Sequence, residues 1–337
     1  MKLVPARFVY WAALIVATAV VIPPRVHAQS CETSEELDAT TRTAITSAGQ
    51  RYFDMAAKGD VASLRQSSIP SLASAFADVE IRVKDRQQDL AGAQATLKSV
   101  FLLDASGDAP IPHAEFYCGV FGKAGQTAGS AAFALDNLPP SKYAVVLLEA
   151  DSSKARTMFS EVLQEVGTDW KLGGLYIKAA QSAGHDSDWF LARAREYKGK
   201  GQMHNAWLFN LEARNLASPL PFMSTRATEK LFDESQGLQP ADMPGGGKTA
   251  DLSAGTATYK FMQLYLEAVG NDLDLIVKYQ SADASNGNQA YQDNVAVIKA
   301  LVTKYPELRE AFAGVVARAV DANGHDYGTL LAMKDIK

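Results

Sequence analysis

Gly245-Gly246-Gly247-Lys248-Thr249 is the stretch of this chain closest to a chemical device, since glycine N–H groups followed by a lysine can cradle phosphates. Such a loop also needs a glycine five residues before its Gly-Lys pair and a buried strand ahead of it. Asp242 and Gln239-Pro240-Ala241 occupy those places, so the segment reads as a linker. Outside the N-terminal segment there are four histidines, His113, His185, His204 and His325, and none has His-Glu-x-x-His spacing. His113-Ala114-Glu115 has the His-x-Glu of a zinc-hydroxide deaminating site but lacks its Pro-Cys-x-x-Cys partner. His185-Asp186 and His325-Asp326 follow Gly184 and Gly324, where loop caps are expected rather than metal ligands. No Gly-x-Ser-x-Gly elbow offers a serine nucleophile. The expectation is no catalytic residue, no metal and no cofactor.

Residues 1–28 read as a secretory signal. Lys2 and Arg7 precede the apolar run Phe8–Ile22, then come Pro23-Pro24 and Val26-His27-Ala28, with small or apolar residues where a signal peptidase reads. That run is shorter than the roughly 20 residues that span a bilayer as a helix. Cleavage near Ala28 is expected, giving a periplasmic or secreted protein with no membrane span. The whole chain has 33 basic and 38 acidic residues, a charge of −5; losing Lys2, Arg7 and Arg25 with the signal takes it to −8. This balance, without a dense basic run, argues against nucleic-acid and anionic-membrane partners. The two cysteines, Cys31 and Cys118, both lie beyond the signal. In an exported chain one disulfide is the simplest outcome, with two unpaired thiols as the competitor.

Several elements must position any site. Thr33-Ser34-Glu35-Glu36 offers a capping box, and Leu37, Ala44, Ile45, Ala48, Tyr52, Met55 and Ala56 make one face of a helix that Gly59-Asp60 ends. Residues 61–104 continue with helical character, and the loop 105–112 closes that part. Strands are expected over 114–121, 130–135, 143–150, 157–166 and 170–177, the last two forming a hairpin about Gly167-Thr168-Asp169. Residues 188–235 are helical again. Pro240, Pro244 and Gly245–Gly247 mark 236–257 as a Gly/Pro linker. Beyond it, strands 258–268 and 273–280, helix 288–305, a second helix from Pro306 to Val320 and a strand 327–333 give a β-β-α-α-β unit. The class is α+β. The units are 29–182, a helical hairpin 183–235, and a C-terminal α+β domain 258–337, the last resembling no family.

The helix ending in Gly-Asp, the strand meander, and the closing Trp-Lys-Leu-x-Gly-Leu-Tyr-Ile (Trp170–Ile177) resemble the NTF2-like cone of small exported bacterial proteins over about residues 32–180. The segment 61–104 is long for that pattern. Phe190, Ala194, Tyr197, Gly201, Ala206 and Ala213 resemble one copy of a tetratricopeptide-type hairpin, with Arg193, Asn210 and Pro219 departing from it. One copy implies a helical hairpin, not a peptide-binding array. The cone resemblance implies an apolar pocket lined by Tyr52, Phe53, Phe116, Tyr117, Tyr143, Phe159, Trp170 and Tyr176, with Glu115, Glu149 and Glu161 as the nearby carboxylates. It also implies that the first helix packs on the sheet, bringing Cys31 towards Cys118. Two functions follow: a non-catalytic binding or interaction protein that encloses a small apolar ligand or contacts a partner protein, and an NTF2-like small-molecule enzyme using a pocket carboxylate as general base.

Overall fold

The computed structural model describes residues 29–121 and 125–337. The expected signal segment, residues 1–28, lies outside the described residues. A short strand β1 (Ser30–Thr33) leads into helices α1 (Ala39–Ala57), α2 (Val61–Gln66), α3 (Pro70–Ser74) and α4 (Ala77–Leu90). Only half of the Thr33–Glu36 box forms: the Glu36 carboxylate accepts from the Thr33 N–H at 2.7 Å, but the Thr33 hydroxyl donates to that carboxylate at 2.8 Å instead of accepting from the Glu36 N–H, which donates to the Thr33 carbonyl. This half-box closes the turn after β1 rather than starting the helix. The cap of α1 is Asp38, whose carboxylate accepts from the N–H groups of Thr40 and Thr41. Gly59, at φ 71°, takes the left-handed position that ends α1, and Asp60 caps α2 through the Ser63 N–H.

Residues 94–104, expected to be helical, form strand β2 (Gln94–Asp104). Val100, Phe101, Leu102 and Leu103 are four consecutive buried residues. Such a run fits a strand covered on both faces, and over so few residues it has no period that separates strand from helix. β3 (Ile111–Phe121), β4 (Gly125–Leu138), β5 (Lys142–Asp151), β6 (Arg156–Val166) and β7 (Asp169–Ala179) follow. The main sheet runs β1-β2-β5-β6-β7, antiparallel throughout. Its β6–β7 hairpin turns at Gly167, φ 66°.

The central part of the main sheet is covered on both faces. Against α1–α4 it packs Val146, Phe159, Leu163 and Leu172 around Tyr52, Phe53, Leu64 and Phe76. The Tyr52 hydroxyl lies 3.0 Å from the carbonyls of both Ser67 and Trp170, which ties α1 to the end of α2 and to β7. The other face carries Phe101, Leu103, Val145 and Leu147 under a smaller sheet, β3-β4-β8, where β8 is Met223–Thr225. The Cys31–Cys118 disulfide joins β1 of the main sheet to β3 of the smaller one, Cα–Cα 4.9 Å. Next to it Gly119, φ 64°, forms a bulge in β3; a Cβ there would approach the Thr33 side chain to 3.1 Å.

Helices α5 (Ser187–Gly199) and α6 (Met203–Ala217) form a hairpin turned at Gly201, and α7 (Arg226–Gln236) follows β8. The last sheet has the order β13-β12-β11-β10-β9. Its strands are β9 (Ala250–Ala254), β10 (Ala257–Val269), β11 (Asp272–Gln280), β12 (Gly314–Val320) and β13 (Asp326–Ala332). Only β11 and β12 are parallel, and the crossover between them is α8 (Gly287–Lys304). Buried Asn294 pins α8 to this sheet: its oxygen accepts from the Tyr279 hydroxyl, and its amide donates to Tyr327 O and Thr329 Oγ1.

Two expectations for this half change. The helix from Pro306 to Val320 is a single turn, α9 (Leu308–Ala311), and then β12, whose Val315, Ala317 and Ala319 are buried at every second residue. The unit is therefore β-β-β-α-β-β apart from that turn. The segment 236–257 carries β9 and buries Leu238, Met243 and Leu252. Those residues belong to one apolar core shared by α5–α7 and the last sheet, with Phe209 of α6 and Phe312 in ring contact at 5.9 Å.

Candidate functional site

The eight aromatic residues expected around one pocket lie on different sides of the main sheet. Tyr52, Phe53, Phe159 and Trp170 are buried between sheet and helices, with Phe53 edge-on to Phe159 at 5.3 Å. Phe116 and Tyr143 are buried in the other core, below β3–β4, where half-buried Tyr176 packs against Phe222 at 5.6 Å. Tyr117 points outward from β3, 62% exposed, and its hydroxyl donates to Glu115 at 2.7 Å. The strand alternation of β3 sets this split: Ala114, Phe116 and Cys118 face in, His113, Glu115 and Tyr117 face out.

The three carboxylates differ sharply. Glu115 is exposed beside Tyr117 and His113. Glu149, on β5, lies 3.8 Å from Lys98. Glu161, on β6, is fully buried on the helix-facing side, and neither of its oxygens has a hydrogen-bond partner among the described residues. Burial raises its pKa well above the usual carboxylate range, against a weaker opposing pull from Arg51. The carboxyl is packed under α1, where burial favours its neutral form.

The histidines act as fasteners. His113 Nδ1 lies 2.7 Å from Asp136 and Nε2 3.4 Å from Glu115; the Asp136 hydrogen bond leads in raising its pKa. His204, on α6, has Nδ1 2.6 Å from Glu307 and Nε2 3.1 Å from Asp242, which also accepts from the Tyr305 hydroxyl at 2.8 Å. His325 Nδ1 lies 2.8 Å from Asp321, and His185 stacks on Trp189 at 3.7 Å. No three His, Cys, Asp or Glu side chains among the described residues are grouped to hold a metal ion. The Gly245–Lys248 stretch is a tight turn: the two end residues exchange backbone hydrogen bonds at 3.2 and 3.0 Å, and Gly246 and Gly247 take φ 57° and 78°. That is a type I′ geometry, and it leads into β9 rather than into a helix whose N-terminus would face a phosphate.

A concavity opens where the outer face of the main sheet passes from the small sheet to the helices. This cleft of about 420 Å³ has β5 and β6 as one wall, through Glu149, Arg156 and Met158. The start of α5, the end of α6 and α7 form the other, with Asp188, Leu191, Arg195, Leu216, Lys230, Leu231 and Glu234. Arg195 and Glu234 pair at 2.6 Å across it. The Nε of Arg156 is buried and has no hydrogen-bond partner among the described residues. Sequence reasoning missed this cleft because its walls come from five elements between residues 149 and 234, with no local spacing to signal their meeting.

Among the described residues no helix is long and apolar enough to cross a membrane. The chain matches no protein-family model, no curated protein and no solved structure.

Proposed function

We propose that this is an exported, non-catalytic binding protein whose first unit has an NTF2-like architecture. The observation that carries the reading is the packing between α1–α4 and the main sheet: Tyr52, Phe53, Leu64, Phe76, Phe159 and Leu172 are all buried in mutual contact there. An interior filled by its own side chains leaves binding to surfaces and clefts. Export is supported by the signal-like segment and by the Cys31–Cys118 bridge, a bond that persists in oxidising compartments. The helices preceding the sheet, and Trp170–Ile177 in its last strand, support the architecture.

Glu161 favours a second reading, the enzyme with a pocket carboxylate, because a buried carboxyl whose pKa is raised is the kind of group that tuned acid–base sites use. Its position under α1 keeps it from any substrate unless that helix moves. One experiment separates the two. N-terminal sequencing of exported protein should begin near Gln29, and compounds that raise its melting temperature should be recovered chemically unchanged by NMR. Turnover that disappears in Glu161→Gln would replace the binding reading with the enzyme.

A further inference from the structure

We infer that the cleft between the main sheet and α5–α7 binds a zwitterionic amino acid with an apolar side chain, or a dipeptide of that kind. The inference rests on the binding-protein reading and names its site and ligand class. The volume, about 420 Å³, holds a ligand of that size and lies at a junction of two cores, where small-molecule sites concentrate.

The charges select the class. Arg195 is occupied by Glu234, Glu149 faces Lys98, and Asp186 accepts from the Trp189 N–H as the cap of α5. Arg156, Lys230 and Asp188 line the same space, and none of them has an ion-pair partner among the described residues. Arg156 is the inner one: it is partly buried, its Nε is shut off from water without a hydrogen bond, and its backbone is fixed by pairing with Asp151 and by the Ala180 N–H donating to its carbonyl at 2.9 Å. The terminal nitrogens of its guanidinium, which has no ion-pair partner among the described residues, offer the planar fork that a carboxylate takes. Asp188, exposed at the first turn of α5, supplies the opposite charge for an ammonium group. Met158, Leu191, Leu216 and Leu231 offer apolar surface to the side chain.

The probes are L-leucine, 4-methylpentanoate, which lacks the amine, and L-leucinamide, which lacks the carboxylate, titrated calorimetrically into the exported protein. Leucine should bind tightest. Arg156→Gln should weaken leucine and 4-methylpentanoate roughly 10- to 100-fold, as loss of a charge-assisted contact implies. Asp188→Asn should weaken leucine while sparing 4-methylpentanoate. Leu191→Trp, which fills the apolar end from a half-exposed position, should abolish binding of all three with an unchanged circular dichroism spectrum, and serves if Arg156→Gln does not fold. Leucinamide binding as tightly as leucine, or leucine binding unmoved by Leu191→Trp, overturns the site while leaving the binding-protein reading in place. Absence of leucine binding in the wild type also overturns it. Chemical conversion of a bound compound defeats the binding-protein reading instead.

Discussion

Gly49, in the middle of α1, leaves the space that the Glu161 carboxyl fills: a Cβ at position 49 would lie 2.7 Å from Glu161 Oε2 and 2.8 Å from Val146 Cγ1. Glycine inside a helix ordinarily costs about 1 kcal/mol against alanine. Here the close approach reverses that preference. Gly49→Ala should destabilise the protein by about 1 to 3 kcal/mol in urea unfolding, as overpacking of a tight core does. Adding Glu161→Ala should recover part of the loss, because one of the two clashes disappears; additive effects of the two substitutions would refute the contact.

The same carboxyl sets a pH dependence. Burial holds its folded-state pKa well above the ordinary glutamate value. Below that ordinary value the group is protonated in both states. As pH rises, the unfolded chain ionises first, so the folded state loses stability until its own raised pKa is passed. Glu161→Gln, which cannot ionise, should match the wild type near pH 4 and become progressively more stable than it towards pH 8. Urea midpoints measured across that range check the divergence, and parallel curves would contradict it.

Asp321 runs the other way. Burial works to raise its pKa, but the His325 side chain and the N–H groups of Ala284, His325 and Asn323 outweigh it and bring it down to about 2. Its contribution is present above the ordinary aspartate value and is lost as pH falls through about 2. Asp321→Asn should therefore reduce stability at pH 7 and narrow the gap to the wild type at the lowest accessible pH. An NMR titration of the side-chain carboxyl carbon gives the direct reading.

Lys178, on β7, donates to the carbonyls of Asn215 and Ser218 at the C-terminal end of α6, the latter at 3.1 Å. An ammonium there meets the negative end of the helix dipole and satisfies carbonyls that the helix leaves open. Lys178→Met should cost about 1 to 2 kcal/mol. Hydrogen exchange should quicken in the last turn of α6 and not in α8.

The Cys31–Cys118 bridge closes a loop of 87 residues. The chain-entropy argument gives it roughly 4 to 5 kcal/mol, an upper value that residual structure in the unfolded chain reduces. Reduction should lower the melting temperature of the part spanning β1–β7 more than that of the part from α5 onward, read by the near-ultraviolet signals of Trp170 and of Trp189 and Trp207 in single-tryptophan variants.

What the sequence made legible was whatever carried its own punctuation. The β6–β7 hairpin has Gly167 between two alternating runs, α8 turns Ile298, Leu301 and Val302 inward as their spacing indicates while Tyr291, expected on that face, is 50% exposed, and an exported chain with two cysteines invites their pairing. Elements whose identity depends on distant neighbours were not legible. β2 and β12 are short apolar runs that become strands because another strand lies alongside: β5 beside β2, and β11 beside β12 after a crossover. The stretch 236–257 has the composition of a linker, yet Leu238 and Met243 find a core assembled from α5–α7 and β10. Limited proteolysis should accordingly spare it. Of the candidate site, Glu161 was visible only as one of three carboxylates, and the cleft at Arg156 not at all.

The bridge also governs an edge. β1, four residues long, is the outermost strand of the main sheet beside β2, where unpaired backbone groups invite another chain to add on. A strand so short would fray if hydrogen bonds alone held it. Bolted through Cys31 to the smaller sheet, it stays seated over β2. If reduction lets β1 fray, the flank of β2 at residues 101–104 should become a template for edge-to-edge association, so the loss that follows reduction is expected to be colloidal as well as conformational.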